Sequence, residues 1–381
     1  MTEAIRIKRL TAHVYRYPIQ SPVVTSFGIM RDRPMVLVRA EDEQGCVGWG
    51  EIWCNFPAVG AEHRARLVHS VLAPVLQASE WLDPPAAFTA LTARTAVLAI
   101  QSAEPGPFAQ AIAGVDLALW DLYARRAGQS LAGLLGAQRD AIPVYASGIN
   151  PDGPERVARD RHQDGFRAFK LKLGFGLSRD LANLAALREA IGDKLMLMAD
   201  VNQGWTFEQA MAAVADLERF NLQWLEEPLR ADTAWPVWQR LADATSIALA
   251  GGENLLGDAA FDEALRQPSL AVIQPDVAKW GGITGCLAVA RRALAAGRRY
   301  CPHWLGGGIG LLHSAHLLAA VGGDGLLEID ANPNPLRSLT CGSLNRVIDG
   351  RVQLDLNAAG IGFEPDLNAL AAYAVTGISA G

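Results

Sequence analysis

The feature that most narrows what this chain can fold into is a beat. From residue 142 onward, short apolar runs recur between longer stretches of helical periodicity, at 142–147, 168–173, 195–201, 223–227, 247–251, 271–275, 299–303 and 326–329. Such alternation signals repeated βα units and a parallel sheet. Eight runs over this length suit a (β/α)8-type barrel better than an open sheet. A doubly wound sheet stays possible, but no GxGxxG follows the first run. Upstream the rhythm differs. Residues 5–17 and 34–51 alternate in strand fashion, with 42–45 as a hairpin turn, and helical patterns follow over 61–82 and 109–127. The class is therefore α/β: a small α+β domain over 1–130, a barrel over 131–344, and a tail over 345–381 that packs back on the first domain.

Near the ends of seven runs stands one ionisable residue each: Lys172, Asp200, Glu226, Glu253, Asp276, His303 and Glu328, spaced 23 to 28 residues apart. In a parallel barrel all strand C-termini open on one face, so these side chains converge. A lone Asp after a strand is more often a helix N-cap. Seven at one interval are not explained that way. The neighbouring acids Asp200, Glu226 and Glu253 repel one another unless a cation neutralises them, and three carboxylates suit a hard ion, Mg²⁺ first and Mn²⁺ second. Lys170 and Lys172 share a strand face, and a nearby cation depresses a lysine pKa, which makes Lys172 a usable base. The bland alternative is a solvated lysine pair. His303 stands on the other flank, and Asp276 would fix its tautomer. That set suits removal of the proton α to a carboxylate, with the enediolate stabilised by the metal and a base on each face.

Composition removes other classes. With 34 Lys and Arg against 40 Asp and Glu, the formal net charge is -6, which disfavours nucleic acid. No stretch approaches about 18 uninterrupted apolar residues, so no membrane span is expected. Five cysteines without CxxC spacing indicate neither a disulfide framework nor a zinc knuckle, and a cytoplasmic location is the expectation.

The motifs also carry a resemblance. Phe169-Lys-Leu-Lys-Leu173, Met198-Ala-Asp-Val-Asn-Gln203, Trp224-Leu-Glu-Glu-Pro-Leu229, Gly252-Glu-Asn254, Gln274-Pro-Asp-Val-Ala-Lys-Trp-Gly-Gly282, Pro302-His303 and Leu327-Glu-Ile-Asp330 stand in order, preceded by Gly48-Trp-Gly-Glu51 and the 113–121 segment. Together they resemble the enolase superfamily, in its mandelate racemase-like branch. The resemblance implies a modified TIM barrel, (β/α)7β, under an α+β capping domain built from both termini. It implies Asp200, Glu226 and Glu253 as Mg²⁺ ligands, with Lys172 as one acid/base and the His303–Asp276 dyad as the other. Lys170 and Glu328 would bind the substrate carboxylate, and Asn202 would touch substrate or a metal water. Asp276, where the muconate lactonising branch has a catalytic lysine, disfavours that branch. Glu227, one residue past a ligand, is read as facing away. The glycine-rich segment 304–310 is tied to no activity.

Weaker signals are weighed against plainer readings. His313 and His316 on an apolar helix are more often structural than a metal pair. The cap loops 25–28 and 53–56 and Ser147 are as apt to be packing as to be ligand contacts. Cys54 carries no sign of a lowered pKa. The leading expectation is an enzyme: a Mg²⁺-dependent dehydratase of acid sugars giving a 2-keto-3-deoxy acid, acting on a small-molecule carboxylate as a homo-oligomer. The alternatives are a racemase or epimerase of a 2-hydroxy carboxylate using Lys172 and His303, and a non-catalytic metal- or carboxylate-binding barrel.

Overall fold

The computed structural model describes residues 4–137 and 139–377. Its N-terminal part holds a four-stranded antiparallel sheet, β3-β2-β1-β4, from β1 (Ile5–Val24), β2 (Ile29–Asp42), β3 (Val47–Ile52) and β4 (Glu80–Trp81). The β2–β3 turn is made by Asp42, whose carboxylate accepts from the backbone N–H of Gln44 and Cys46, with Gly45 left-handed at φ 81°. Helices Pro84–Gln101 and Pro105–Arg126 pack beside the sheet. The first was not read from the sequence. Asp83 caps it ahead of two prolines, but it buries a narrow stripe (Ala87, Leu91, Thr95, Ala99) and exposes Val97, Leu98 and Ile100, which blurs the apolar period. Gly48 and Gly50 let β3 lie directly on helix Pro105–Arg126: a Cβ at Gly50 would stand 2.1 Å from the carbonyl oxygen of Gly114.

All eight downstream runs form parallel strands: β5 (Ala141–Ile149), β6 (Ala168–Lys172), β7 (Met196–Asp200), β8 (Leu222–Glu226), β9 (Leu249–Gly251), β10 (Val272–Ile273), β11 (Arg299–Tyr300) and β12 (Leu327–Asp330). The sheet runs β11-β10-β9-β8-β7-β6-β5-β12, and β13 (Arg351–Gln353) adds antiparallel to β5. This is the modified barrel with a capping domain. Where β11 and β12 meet, side chains do the joining: the Leu326 N–H donates to Cys301 Sγ at 3.4 Å, and the Trp304 N–H to Glu328 Oε2 at 2.9 Å.

The strand period of two builds the barrel interior in layers. Tyr145, Ala168, Met198, Trp224, Ala250, Val272, Cys301 and Leu326 close an apolar floor. Two residues further along come Gly252 after β9 and, for the other seven strands, the polar groups Ser147, Lys170, Asp200, Glu226, Gln274, His303 and Glu328, all buried.

Cap and barrel are tied by buried polar groups. Asp116 joins cap to barrel, accepting from the backbone N–H and hydroxyl of Thr284 at 3.0 and 2.6 Å, while Asp121 joins β3 of the cap to the tail, accepting from the N–H of Trp49 and Ile361, both at 2.8 Å. The tail engages the barrel first, through β13, and reaches the cap afterwards, where the Val375 N–H donates to the Val14 carbonyl at 2.9 Å. Among the described residues no helix is long and apolar enough to cross a membrane.

Candidate active site

A cavity of about 190 Å³ opens above the polar layer, walled by the barrel mouth and by the cap loops carrying Thr25, Phe27, Trp53 and Phe56. Lys172, Asp200, Asn202, Glu253, His303 and Glu328 all line it. Glu226, Asp276 and Lys170 do not. Lys170 stands within the polar layer, 1% exposed, with Nζ 2.7 Å from Glu226 Oε2 and 2.9 Å from Glu328 Oε1. Burial works to lower its pKa, but Glu226 and Glu328 hold it well above the ordinary lysine value. In this structure Lys170 is engaged by two acids of the protein.

Lys172 ends β6 at the cavity, with Nζ 3.4 Å from the Val24 carbonyl oxygen. Its pKa is pushed down to about 8, by burial above all, with Arg33 and Lys170 adding to the effect against Asp200 and Asp330. The lysine pair is buried, not solvated, and desolvation does more than the paired ammonium to make the base. Arg33 reaches in from β2 to form a buried ion pair with Asp330 at the end of β12. This pair was not picked out from the sequence, because its partners lie 297 residues apart.

The three acids follow one another around the mouth. Asp200 ends β7 and Glu226 ends β8, paired across the strands, while Glu253 stands just past β9. Burial, then the charges of Glu226 and Glu253, push Asp200 up to about 7. That mutual repulsion among hard oxygen donors is what a divalent cation relieves, so the donor set fits one. A further acceptor stands beside it: Asn202 Nδ2 donates to Asp200 Oδ2 at 2.9 Å, while its buried Oδ1 has no partner among the described residues. As they stand, however, the oxygens serve protein donors. Glu226 Oε2 accepts from Lys170, Trp224 and Gln274, and Glu253 Oε2 lies 2.7 Å from His303 Nε2. Among the described residues no three His, Cys, Asp or Glu side chains converge on one point.

His303 Nδ1 lies 2.7 Å from Asp276 Oδ2, which makes the expected dyad. Burial would lower its pKa, but Glu253, Glu328 and Asp276 outweigh it and hold His303 well above its ordinary value. Glu328 accepts from the Ser147 hydroxyl and the Trp304 N–H, so Ser147 acts on an acid of the site.

Glu227 does not line the cavity, as its strand position implies, and instead borders Trp235 and Trp238. Its φ of +38° swings it beside Asn254, which donates to both its oxygens at 2.8 and 2.9 Å, and burial with the charge of Glu253 pushes its pKa well up. Lys279 joins this group: Nζ donates to Asn254 Oδ1 at 2.7 Å, 4.7 Å over the Trp53 ring. The glycine-rich segment has a steric reason. Glu51 from β3 accepts from the N–H of Gly307 and Gly310, and a Cβ at Gly310 would stand 1.9 Å from Trp304. His313 and His316 are structural: His313 Nε2 lies 3.0 Å from the Leu117 carbonyl oxygen, and His316 Nδ1 accepts from the Ala132 N–H. Cys54 is buried, and burial pushes its thiol well up, so it is no reactive thiolate.

Comparison with known proteins agrees with this architecture. Residues 8–136 match the mandelate racemase / muconate lactonizing enzyme N-terminal domain, and residues 154–369 match the enolase C-terminal domain-like family. A mandelate racemase/muconate lactonizing enzyme from Bordetella bronchiseptica is 56% identical, with TM-score 0.93 over 97% of this chain and 100% of that one. A racemase from Streptomyces coelicolor, solved with bound magnesium, is 30% identical, with TM-score 0.87 over 97% and 100%. The D-galactarolactone cycloisomerase of Agrobacterium fabrum is 30% identical over 97% of this chain and 99% of its own length. Other relatives carry the names of dehydratases and an epimerase. With both its domains matched in order along the chain, this protein belongs to the mandelate racemase/muconate lactonizing enzyme family of the enolase superfamily.

Proposed function

We propose that this enzyme removes the proton α to a substrate carboxylate and dehydrates an acid sugar to a 2-keto-3-deoxy acid. The observation that carries the reading is the opposition of two unlike bases across the acids of β7, β8 and β9: Lys172 on one flank, and His303 braced by Asp276 on the other. Asp200, Glu226 and Glu253 would hold Mg²⁺, with Mn²⁺ as a substitute. When bound, that ion supplies charge stabilisation for the substrate carboxylate as its α-proton leaves.

The rest is done by the chain itself. Lys172, pushed down to about 8, offers a neutral amine near physiological pH and takes the α-proton. His303, held above its ordinary value, enters as the imidazolium and gives a proton to the departing β-hydroxyl, once Nε2 leaves Glu253. Environments that drive two groups' pKa values apart assign one as base and the other as acid, which suits elimination. Asn202 lines the cavity and would touch the substrate or a metal-bound water, while Glu328, raised by burial but held below its ordinary value by Lys170 and His303, offers an acceptor to a substrate hydroxyl from the opposite wall. Lys170 orders Glu226 and Glu328 beside it and would add its charge toward the substrate carboxylate.

A second reading, racemisation or epimerisation of a 2-hydroxy carboxylate with Lys172 and His303 exchanging protons on opposite faces, draws support from the aromatic wall of Phe27, Trp53 and Phe56 and from the Streptomyces racemase. The test is a screen of mono- and diacid sugars and their lactones with Mg²⁺, reading 2-keto-3-deoxy product as its semicarbazone. A hit that disappears with chelator and in Lys172→Ala supports dehydration. Silence from protein shown to bind Mg²⁺, together with deuterium exchange into a 2-hydroxy acid, would transfer the assignment to racemisation. Light scattering on the same preparation tests the proposed homo-oligomer.

A further inference from the structure

A basic cluster lies apart from the cavity described above, beside the β12–β5 edge, between helices Pro154–Gln163 and Pro335–Thr340. Arg161, Arg337 and Arg346 line a cavity of about 310 Å³ together with Asp164, Asp330 and Leu344. Arg161 and Arg337 also wall an adjoining concavity of about 570 Å³. Their charges are poorly matched by the protein. Arg337 donates through Nη1 to the Asp330 carbonyl oxygen at 2.5 Å, yet makes no ion pair among the described residues, because the Asp330 carboxylate is taken by Arg33. Arg346 makes none either. Arg161 has one carboxylate, Asp164 at 3.0 Å, and its buried Nε lacks a partner among the described residues. The other acid facing the cluster is Asp160, on the second concavity.

Three guanidinium groups in a concave site, with donors left over, form the arrangement that takes a tetrahedral oxyanion. A planar carboxylate presents two oxygens to such a ring of donors, whereas a phosphate group presents three or more. We infer that this cavity binds a phosphate group, free or carried on a small metabolite. Burial lowers the pKa of Arg337 against the opposing charge of Asp330, with Arg33 and Arg161 adding smaller repulsions.

Isothermal titration of the full chain with inorganic phosphate at constant ionic strength tests this, repeated on Arg161→Gln, Arg346→Gln and His303→Asn. The expected result is saturable binding at one site, kept in His303→Asn and weakened about tenfold or more in each arginine variant, as loss of a charge-assisted hydrogen bond requires. Glycerol phosphate binding tighter than inorganic phosphate would assign a metabolite-borne group, and weaker binding would assign the free ion. Absence of saturable binding to the wild type overturns the inference. So does binding unchanged in both arginine variants, or binding lost in His303→Asn while the arginine variants keep it, which would place the phosphate in the catalytic cavity.

Discussion

At the residue scale, the chemistry rests on how burial treats individual charges. Lys172 reaches about 8 because its ammonium is taken out of water faster than Asp200 and Asp330 can compensate. The neutral amine is the base, and its fraction grows with pH. The log of kcat/KM for the hit substrate should therefore rise with unit slope below about 8 and flatten above it, and a divalent cation beside Asp200 can only move that limb lower. A flat profile from pH 6 to 9 would rule Lys172 out as the base. Lys172→Ala and His303→Asn should each lose about 10²- to 10⁴-fold in kcat with the circular dichroism spectrum unchanged. Lys172, Asp200, Glu226, Glu253, Asp276, His303 and Glu328 were all legible in the sequence, since strand spacing puts them at one barrel mouth. Lys170 was legible as a residue, but its ion pairs with Glu226 and Glu328 were not, because those acids come from other strands far along the chain.

At the element scale, what the sequence presents as motifs resolves into close packing. The run from Trp304 to Gly310 is glycine-rich because Trp304, Glu51 and Met35 occupy the space where side chains would stand. Gly310→Ala should destabilise by about 1–3 kcal/mol, as forced overpacking does, read as a lower midpoint in urea with an unchanged m-value. Stability equal to the wild type would show that Trp304 has room to move. Helix Pro84–Gln101 is the counterexample to legibility. Its capping residue and prolines are visible in the sequence, but its exposed Val97, Leu98 and Ile100 spread apolar residues around the axis, so no period stands out.

At the scale of the whole molecule, cap and barrel share buried charges, so neither half completes the site alone. Arg33 comes from the cap sheet and Asp330 from the last barrel strand, each 2% to 3% exposed. Removing one partner leaves a buried charge uncompensated, so Arg33→Met should cost about 3–5 kcal/mol, while Arg33→Met with Asp330→Leu should recover much of it. Denaturant melts of the two variants measure this, and equal losses in both would mean that the pair is not coupled. Cation binding acts on the same fold. Mg²⁺ at about 100 times its Kd should stabilise by about 2.7 kcal/mol, seen as a raised Tm, and Asp200→Asn should erase most of that shift.

The sequence by itself determined the eight-strand beat, the parallel-barrel class and the identity of the ionisable groups at the strand ends. These follow from local periodicity, which each segment carries whatever surrounds it. The tertiary structure decided which of those groups face the cavity and which lie beneath it. It also brought Arg33 to Asp330 and Glu51 to the glycine segment, and set Glu227 against Asn254. Those outcomes depend on contacts between residues far apart in the chain and on one left-handed backbone angle, and neither leaves a periodic trace in the order of amino acids.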